Sequence, residues 1–543
     1  MFFKIMKGIT DENGNFIGGY ATLCDSIYKY TGKKNHCDQI RVEALGKILF
    51  IDKAKTYGKF KSKTRGYIKY DLATDTFSKL DLNDEHIVEK EKTELKVSTV
   101  FGDGYLLTEL LKNSQIFAPL KATFCKNKVF ERVFIHILHS LGKCGQDIDC
   151  ADFARKSFLS YLIPDIGLSS LETDTTYFKF MADPNLKLEF FKNFIVEMRK
   201  TNKDFGKVCY IDSTPIPNEV KSMMLNYFCT HGTNFSAMQV RLALLLDEET
   251  GYPVWFDVIP GNVTDGKTLI NMFDYVTEEL DLEVNDLILD CGYCTKENLL
   301  HFKSGSLANF LVRMPKRKGY GWDTMFYRYL PQFIQAKYSF IREGHSYYGR
   351  RIEKELWGEK FYAFIYLDKF NAQVSFTKFY EDNEEEFKQM IPKEQNIKEF
   401  GGGFFVLLTP MTPENEKLTP EDALNKYFKR TDIETFFKTA KNYVSLLPIC
   451  KECPDAILGK IFNDAIATIF RMMIRDKMSE KQRKKGIPKM IAQMQSLICK
   501  TMKDGSLMVE IPNKQASEVL KEFNIKVPSR LNIEEYRKGL LHN

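Results

Sequence analysis

Two aspartates stand directly after short apolar segments that have the composition of β-strands. Asp212 follows the segment 208–211, and Asp290 follows the segment 286–289. In neighbouring strands of an open α/β sheet, the carboxyl ends line one edge, where ligands bind. We therefore expect the two carboxylates to share a site. Each aspartate taken singly is equally well explained as an ordinary turn or cap residue.

A glutamate on a charged helical face is the third candidate. The segment 427–441 reads YFKRTDIETFFKTAK. At about 100° per residue, five of its polar side chains fall within about 80° of one another. Arg430 and Glu434 at this spacing would also form an ordinary surface ion pair. The five residues on this face are Tyr427, Arg430, Glu434, Lys438 and Lys441.

Three carboxylates form a donor set that suits a hard cation. Mg²⁺ favours carboxylate and water oxygens. Two such ions about 4 Å apart activate a water molecule and stabilise charge on the leaving oxygen during phosphoryl transfer. Asp212, Asp290 and Glu434 are therefore predicted to serve both as catalytic residues and as metal ligands.

The elements that must position these residues follow from hydrophobic periodicity. The helix over 264–280 has Thr264 or Asp265 as its cap and an apolar stripe at Leu269, Met272, Phe273 and Val276. The order of elements predicts an α/β fold with an RNase-H-like mixed sheet, in which a three-stranded meander precedes strands that are added through helices. The predicted strands are 208–211, 239–246, 253–260, 286–289 and 308–313, and the predicted helices are 264–280 and 295–302.

The core is predicted to be interrupted before its closing helix, which we place at 422–443. A β-rich insertion domain, which includes the charged stretch 381–399, accounts for the interruption. A β-then-helical N-terminal region precedes the core. The predicted domains are a β-rich basic region (1–95), a helical region (96–204), the first part of the core (205–315), the insertion (316–424), the closing helices (425–480) and a C-terminal helical region (481–543).

Charge and hydropathy restrict the class of protein. The net charge of +6 is small for 543 residues, but basic runs occur at 53–65, 313–318 and 477–489, where they form either solvated faces or phosphate contacts. The N-terminus turns polar too early for a signal peptide. No apolar run approaches the roughly 18 residues that span a bilayer. These features predict a soluble, cytoplasmic protein with no membrane partner.

Cysteine and histidine pairs offer weaker alternatives. Cys291/Cys294 and Cys450/Cys453 are C-x-x-C pairs that would suit zinc or redox chemistry, although no histidine stands beside them at ligand spacing. Reduced, buried cysteines are the simpler explanation. His136 and His139 lie at i, i+3 in an apolar helical segment, where a metal pair is conceivable and a core role is expected.

The spacing Tyr427, two residues, Arg430, three residues, Glu434, six residues, Lys441 resembles the Y-R-E-K signature of one branch of bacterial insertion-sequence transposases of the DDE class. YIDST around Asp212 and LILDCGYCTKENL around Asp290 resemble the first and second acidic blocks of that family. GNVTDGKTL after the third strand is also typical of it. The clear match covers residues 205–315 and 400–450.

The resemblance implies a DNA transposase that cuts transposon ends and joins them to target DNA. It implies two Mg²⁺ ions, with Mn²⁺ as a substitute, bridged by Asp212 and completed by Asp290 and Glu434. Tyr427, Arg430 and Lys441 would contact phosphates of the transposon end, and the helical region 96–204 would bind the DNA end. An aromatic residue of the insertion would hold a flipped base, for which Trp322, Trp357 and Phe404 compete with ordinary core roles.

The implied partners are double-stranded DNA, as terminal inverted repeats and as target, and a second copy of the chain in a homodimer that holds both ends. The protein would associate with the bacterial nucleoid when bound to DNA. Two other readings stay open. One is an RNase-H-like nuclease or resolvase, and the other is a catalytically silent, transposase-derived DNA-binding protein.

Overall fold

A computed structural model describes most of the chain, in two compact units, Met1–Val97 and Ser98–Asn543. Each unit is considered by itself. The described residues are 1–30, 35–81, 84, 86, 98–125, 129–142, 149–164, 174–218, 223–228, 238–306, 309–333, 335–444, 446, 451, 453–502 and 504–541.

The first unit is an antiparallel sheet whose six strands are paired in chain order. Alternate side chains such as Phe3, Ile48 and Phe60 are buried on one face, as expected for a half-solvated sheet. The β-rich N-terminal region predicted from sequence is confirmed. Its strands are β1 (Phe2–Thr10), β2 (Phe16–Tyr30), β3 (Asn35–Ile51), β4 (Tyr57–Ser62), β5 (Gly66–Asp71) and β6 (Thr76–Lys79).

The second unit begins with the short strand β7 (Thr99–Val100) and a group of helices. His136 and His139 are both buried in the third helix, and the His136 ring stacks on Tyr177 with centroids 3.9 Å apart. Both histidines therefore have the expected core position. The helices are α1 (Gly102–Lys112), α2 (Phe117–Phe124), α3 (Phe130–Gly142), α4 (Cys150–Lys156), α5 (Leu159–Leu162), α6 (Asp174–Met181) and α7 (Pro184–Arg199).

A mixed sheet follows, in the spatial order β11-β10-β8-β12-β13. The pairs β11/β10 and β10/β8 are antiparallel, whereas β8/β12 and β12/β13 are parallel. The predicted meander and the later parallel strands are confirmed. The elements are β8 (Val208–Pro217), β9 (Tyr227–Phe228), β10 (Met238–Asp247), β11 (Pro253–Pro260), α8 (Leu269–Glu279), β12 (Asp286–Leu289), α9 (Lys296–His301) and β13 (Asn309–Arg313).

Both predicted helices of the core are present, and their apolar faces or caps agree with the sequence in all but one respect. The four apolar positions of the α8 stripe are buried, and the Thr295 side chain caps α9 by accepting from the Asn298 N–H at 3.2 Å. The cap expected for the first helix is wrong. The helical segment begins with a 3₁₀ turn at Asp265–Lys267, and neither Thr264 nor Asp265 caps it through its side chain. The Asp265 carboxylate has other partners, described below.

The interruption of the core contains the expected strands, but they belong to the same sheet. Strand β17 pairs with β13, and the sheet continues through β16 and β15 to β14. The charged stretch 381–399 is largely helical, although the insertion that contains it was predicted to be β-rich. The elements are α10 (Trp322–Tyr329), β14 (Ser339–Arg342), β15 (His345–Leu356), β16 (Glu359–Asp368), α11 (Lys369–Gln389), α12 (Pro392–Phe400), β17 (Phe404–Pro410) and α13 (Pro413–Glu416).

The closing part of the core is two helices rather than the single helix predicted over 422–443. They are α14 (Pro420–Phe428) and α15 (Thr431–Tyr443), separated by a turn at Lys429–Arg430. Neither residue at the turn is a glycine or proline, so no helix-breaking residue marks it. The long helix α16 (Pro454–Lys477) follows, and its central residues are buried.

The C-terminal part was predicted as helical, but it also contributes strands to a small sheet in the order β20-β19-β18-β7. Its elements are α17 (Glu480–Lys485), α18 (Ile487–Met494), β18 (Ile498–Thr501), β19 (Leu507–Val509), α19 (Lys514–Glu522), β20 (Arg530–Leu531) and α20 (Ile533–Leu541). Among the described residues, no helix has the length and apolar character needed to cross a bilayer.

Candidate active site

Asp212 and Asp290 are brought side by side by two adjacent parallel strands. In the register of β8 and β12, Ile211 lies opposite Leu289, so the next residue on each strand is one of the aspartates. Asp290 directly follows the end of β12, as predicted. Asp212 does not end its strand, because β8 continues to Pro217 along its antiparallel partner β10. It marks the point where pairing with β12 ends.

One guanidinium joins the two carboxylates. Arg430 Nη1 lies 3.2 Å from Asp212 Oδ2, and Arg430 Nη2 lies 3.5 Å from Asp290 Oδ1. The Tyr427 hydroxyl donates to the same Asp290 oxygen at 3.1 Å. The turn between α14 and α15 is what aims Arg430 at the strand ends. Two residues predicted to contact DNA are therefore in contact with the carboxylates.

Burial sets the ionisation of the site. It is the largest influence on Asp212 and raises the pKa of this carboxyl to about 6, against the opposing effects of the Arg430 charge and of the bond from the Ser213 N–H. Burial also raises the pKa of the Tyr427 hydroxyl above its usual range. Burial disfavours the charge on Arg430, but Tyr427, Asp290 and Asp212 outweigh it, so the pKa of Arg430 is raised. At neutral pH the ionised Asp212 carboxylate therefore lies beside the Arg430 cation.

Glu434 lies on the helix that follows Arg430. Its side chain is exposed, in the first turn of α15, and its charge acts on the Arg430 guanidinium. The described part of the chain contains no cluster of three His, Cys, Asp or Glu side chains that could hold a metal ion. The structure thus brings Asp212 and Asp290 together and places Glu434 next to their shared cation, outside such a cluster.

Lys441, at the other end of the signature, is bonded to the continuation of β8. Its ammonium donates to Thr214 Oγ1 at 2.5 Å and to the Pro215 carbonyl at 3.1 Å. Burial lowers the pKa of Lys441. The contact fixes α15 against the strand that carries Asp212, and it leaves one of the three ammonium N–H donors for another partner.

A fourth carboxylate, which sequence reasoning assigned to a helix cap, belongs to the site. Asp265 Oδ1 accepts from the Ser213 hydroxyl at 2.5 Å and lies 2.8 Å from Arg241 Nη2. Arg241 also donates from Nε to the Ser213 hydroxyl at 3.2 Å, and Ser213 donates its backbone N–H to Asp212 Oδ1 at 2.8 Å. This network, which we call the Asp265 network, ties the residue after Asp212 to strand β10 and to the turn before α8.

The Asp265 network also explains a glycine. A Cβ at Gly292 would lie 3.1 Å from Asp265 Oδ2, so that the carboxylate would have to shift slightly to make room for it. Gly292 follows Asp290 by two residues, so the second acidic block and the GNVTDGKTL segment meet here. The occurrence of an acid in that segment, directly before a glycine, was the sequence signal that could have identified Asp265.

The structure also shows the positions of the candidate base-binding aromatic residues and of the C-x-x-C cysteines. Trp322 is 5% exposed and stacks on Phe326 with centroids 5.2 Å apart, and Phe404 is fully buried. Trp357 packs its ring edge against Tyr320. Cys294 is buried whereas Cys291 is exposed, and Cys450 lies outside the described residues. Trp322 and Phe404 are therefore core residues, whereas Trp357 is half-buried and packs against the core.

Comparisons with known proteins give one family match and one similar solved structure. Residues 203–470 match the family described as the transposase DDE domain. Among solved structures, the chain is similar to the piggyBac transposase in a cryo-EM synaptic complex with hairpin DNA, with 12% identity and a TM-score of 0.35 over 81% of this chain and 86% of that chain. No curated protein matches the chain.

Proposed function

We propose that this chain, whose residues 203–470 match the transposase DDE domain, cuts and transfers DNA strands, and that Asp212, Asp290 and Glu434 perform this chemistry. The observation that carries the proposal is the position of Asp212 and Asp290 on two hydrogen-bonded parallel strands. Their proximity to a common cation, Arg430, supports it. We include Glu434 in the catalytic set because it follows Arg430 by a single helical turn.

The donor set fits hard divalent cations. Asp212 and Asp290 present carboxylate oxygens at one sheet edge, and the Arg430 guanidinium shows that positive charge is accommodated between them. Two Mg²⁺ ions, with Mn²⁺ as a substitute, held by Asp212, Asp290 and Glu434, would supply an activated water and charge stabilisation at the leaving oxygen. Asp212 must be ionised to act as a ligand, a condition that its pKa of about 6 meets at neutral pH.

Tyr427, Arg430 and Lys441 are proposed to contact phosphates of the transposon end. A guanidinium has five N–H donors, of which Arg430 directs two towards the aspartates. The remaining donors of Arg430 and Lys441 are available at the edge that a scissile phosphate must approach. Arginine can grip a phosphate with two donors, and lysine acts as a point charge.

Double-stranded DNA is the substrate that we propose for this chemistry. We propose that the chain recognises terminal inverted repeats and a target duplex, and that two copies act together. The reason for a homodimer is mechanistic, since both ends of the element must be held in one complex before joining. The freed 3′-hydroxyl attacks target DNA at the same carboxylate site, so no serine or tyrosine nucleophile is assigned.

The test is a combined cleavage and joining assay with the full-length protein. A labelled duplex carrying the inverted repeat that flanks the gene is incubated with Mg²⁺ and a supercoiled plasmid, beside a scrambled duplex of the same length and composition. The expected result is Mg²⁺-dependent cutting at the repeat end and transfer of label to the plasmid. Cutting without transfer would instead indicate a nuclease, and binding without cutting would indicate a catalytically silent DNA-binding protein.

A further inference from the structure

A cavity with both apolar and cationic lining residues lies against α15, the helix that carries Glu434. It has a volume of about 270 Å³ and is enclosed by α15, the C-terminal end of α16, and the segment from α17 to the start of α18. Its polar lining includes Thr435 and Thr439 together with four cations, Lys438, Arg471, Arg475 and Arg483, and no acidic residue lines it. We call it the cationic pocket.

The cations differ in how firmly they are held. Arg471 is the most buried, at 6% exposure. Arg483 is fixed at the rim, where its Nε donates to the Arg475 carbonyl and its Nη2 to the Asp476 carbonyl, both at 3.0 Å. Lys438 and Arg475 are exposed, and neither forms an ion pair within the part of the chain that the structure describes. The pocket therefore combines a preorganised arginine at its rim with two cations that keep their charge available.

The position of the pocket relates it to the proposed active site. Lys438 follows Glu434 by four residues on α15, which places it about 6 Å further along the helix axis and about 40° around it. A DNA strand with a phosphate at Asp212 and Asp290 has neighbouring phosphates on either side. A strand that runs along α15 would bring one of them to Lys438.

We propose that the cationic pocket binds a backbone phosphate of the DNA next to the phosphate being cut. Thr435, Lys438 and Arg475 supply the hydroxyl and charged donors that face the phosphate, and Arg483 fixes the rim. The ligand is recognised by charge and not by base sequence, as phosphate contacts are. The inference rests on the proposed function, because that function supplies the strand. It adds a phosphate contact that the Y-R-E-K signature does not include.

The experiment measures DNA binding by the full-length protein with Ca²⁺ in place of Mg²⁺, using a fluorescein-labelled duplex that carries the inverted repeat. The Kd is determined over a series of KCl concentrations for the parent and for the double variant Lys438→Gln/Arg475→Gln. We expect the double variant to bind about tenfold more weakly at a fixed salt concentration. The slope of log Kd against log salt should fall by about 0.9 for the lost phosphate contact.

Two further variants keep the result interpretable. Arg475→Lys retains the charge and should keep the parent slope. Lys378→Gln removes an exposed charge on α11, away from the pocket, and should also keep it. Unchanged thermal midpoints show that the variants are folded.

An unchanged slope in the double variant would overturn the proposal. If the double variant kept the slope but lost thermal stabilisation by inorganic phosphate, the pocket would be a free-anion site and the DNA assignment would be wrong. The readout is independent of catalysis. A reduced salt slope in the double variant, with no cleavage by any form of the protein, would count against the proposed function and would support only that the pocket binds a backbone phosphate of DNA.

Discussion

Arg430 and Asp212, 218 positions apart in sequence, form an ion pair in which Arg430 Nη1 lies 3.2 Å from Asp212 Oδ2. The other terminal nitrogen of the same guanidinium lies 3.5 Å from Asp290. The cation thus occupies the space between two carboxylates that we propose as metal ligands. The pair connects the closing helices of the core to the edge of its sheet.

Removal of the arginine should strengthen divalent-cation binding. Positive charge beside a cation site opposes binding, and Arg430 contacts the same oxygens that a metal ion would take. Arg430→Ala should bind Mn²⁺ about tenfold more tightly, which corresponds to about 1.4 kcal/mol. Isothermal titration at about pH 8, where Asp212 is ionised, measures the affinity.

Lys429→Ala is the matched control for that titration, because Lys429 is the adjacent cation and its partner is Glu248. It should leave the Mn²⁺ affinity unchanged. Equal or weaker Mn²⁺ binding by Arg430→Ala would show that Arg430 does not oppose metal binding at these carboxylates.

The ionisation of Asp212 should appear in the pH dependence of stability. The pKa of Asp212 is about 6 in the folded protein, against an ordinary value of 3.8 for an aspartate. The folded state therefore binds a proton more tightly than the unfolded state does. The resulting stabilisation is fully present below the unfolded pKa and is lost as pH rises through about 6.

Asp212→Asn removes this titration. At about pH 7.5 the variant should be more stable than the parent by on the order of 2 kcal/mol, and the difference should shrink as the pH falls towards about 4. Urea midpoints at a series of pH values measure it, with the exposed Glu297→Gln as a control that should show no such trend. A difference independent of pH would mean that Asp212 has an ordinary pKa.

The Asp265 network should be coupled energetically. Asp265 and Arg241 have 21% and 11% exposed side chains, and removal of one partner leaves the other charge largely buried. Asp265→Ala is expected to destabilise the protein by about 3 kcal/mol. A double-mutant cycle with Arg241→Met should give a coupling energy of about 1–3 kcal/mol. Additive effects of the two substitutions on the urea midpoint would show that the contact contributes nothing.

Lys441 offers a test of the proposed DNA contacts. Lys441→Gln should weaken binding of a labelled repeat duplex and reduce the salt slope by about 0.9, as expected when one phosphate contact is lost. The lysine also bonds to Thr214 and Pro215, so the thermal midpoint should fall slightly. If the midpoint fell while the salt slope stayed at the parent value, Lys441 would be only an anchor between α15 and β8.

The sheet that carries the aspartates could be predicted because its pattern is local. Apolar segments at 239–246 and 253–260 surround a turn, and the helix before β12 shows a regular apolar stripe. The strands that pair with one another can be distant in sequence. For this reason the sequence did not reveal that β17 pairs with β13 and extends the core sheet. The strands of the interruption were expected, but their place in the fold depends on contacts distant in sequence.

The candidate site was predictable in its residue types and less so in its contacts. Asp212 and Asp290 follow from strand positions. The turn at Lys429–Arg430 contains no glycine or proline, so the sequence pattern predicted one continuous helix across it. Asp265 stood where a capping residue is common, and only the folded chain shows its carboxylate against Arg241 and Ser213.

The most direct test of the central claim compares three single variants, Asp212→Asn, Asp290→Asn and Glu434→Gln, in Mg²⁺-dependent cutting of a labelled repeat end. Glu297→Gln, another exposed helical glutamate, is the matched control for Glu434→Gln. Each of the three should lower the single-turnover rate by a factor on the order of 10³ while repeat binding is retained, which corresponds to about 4 kcal/mol of lost transition-state stabilisation. Glu297→Gln should cut at the parent rate. Cutting at the parent rate by any of the three would contradict the assignment of that carboxylate.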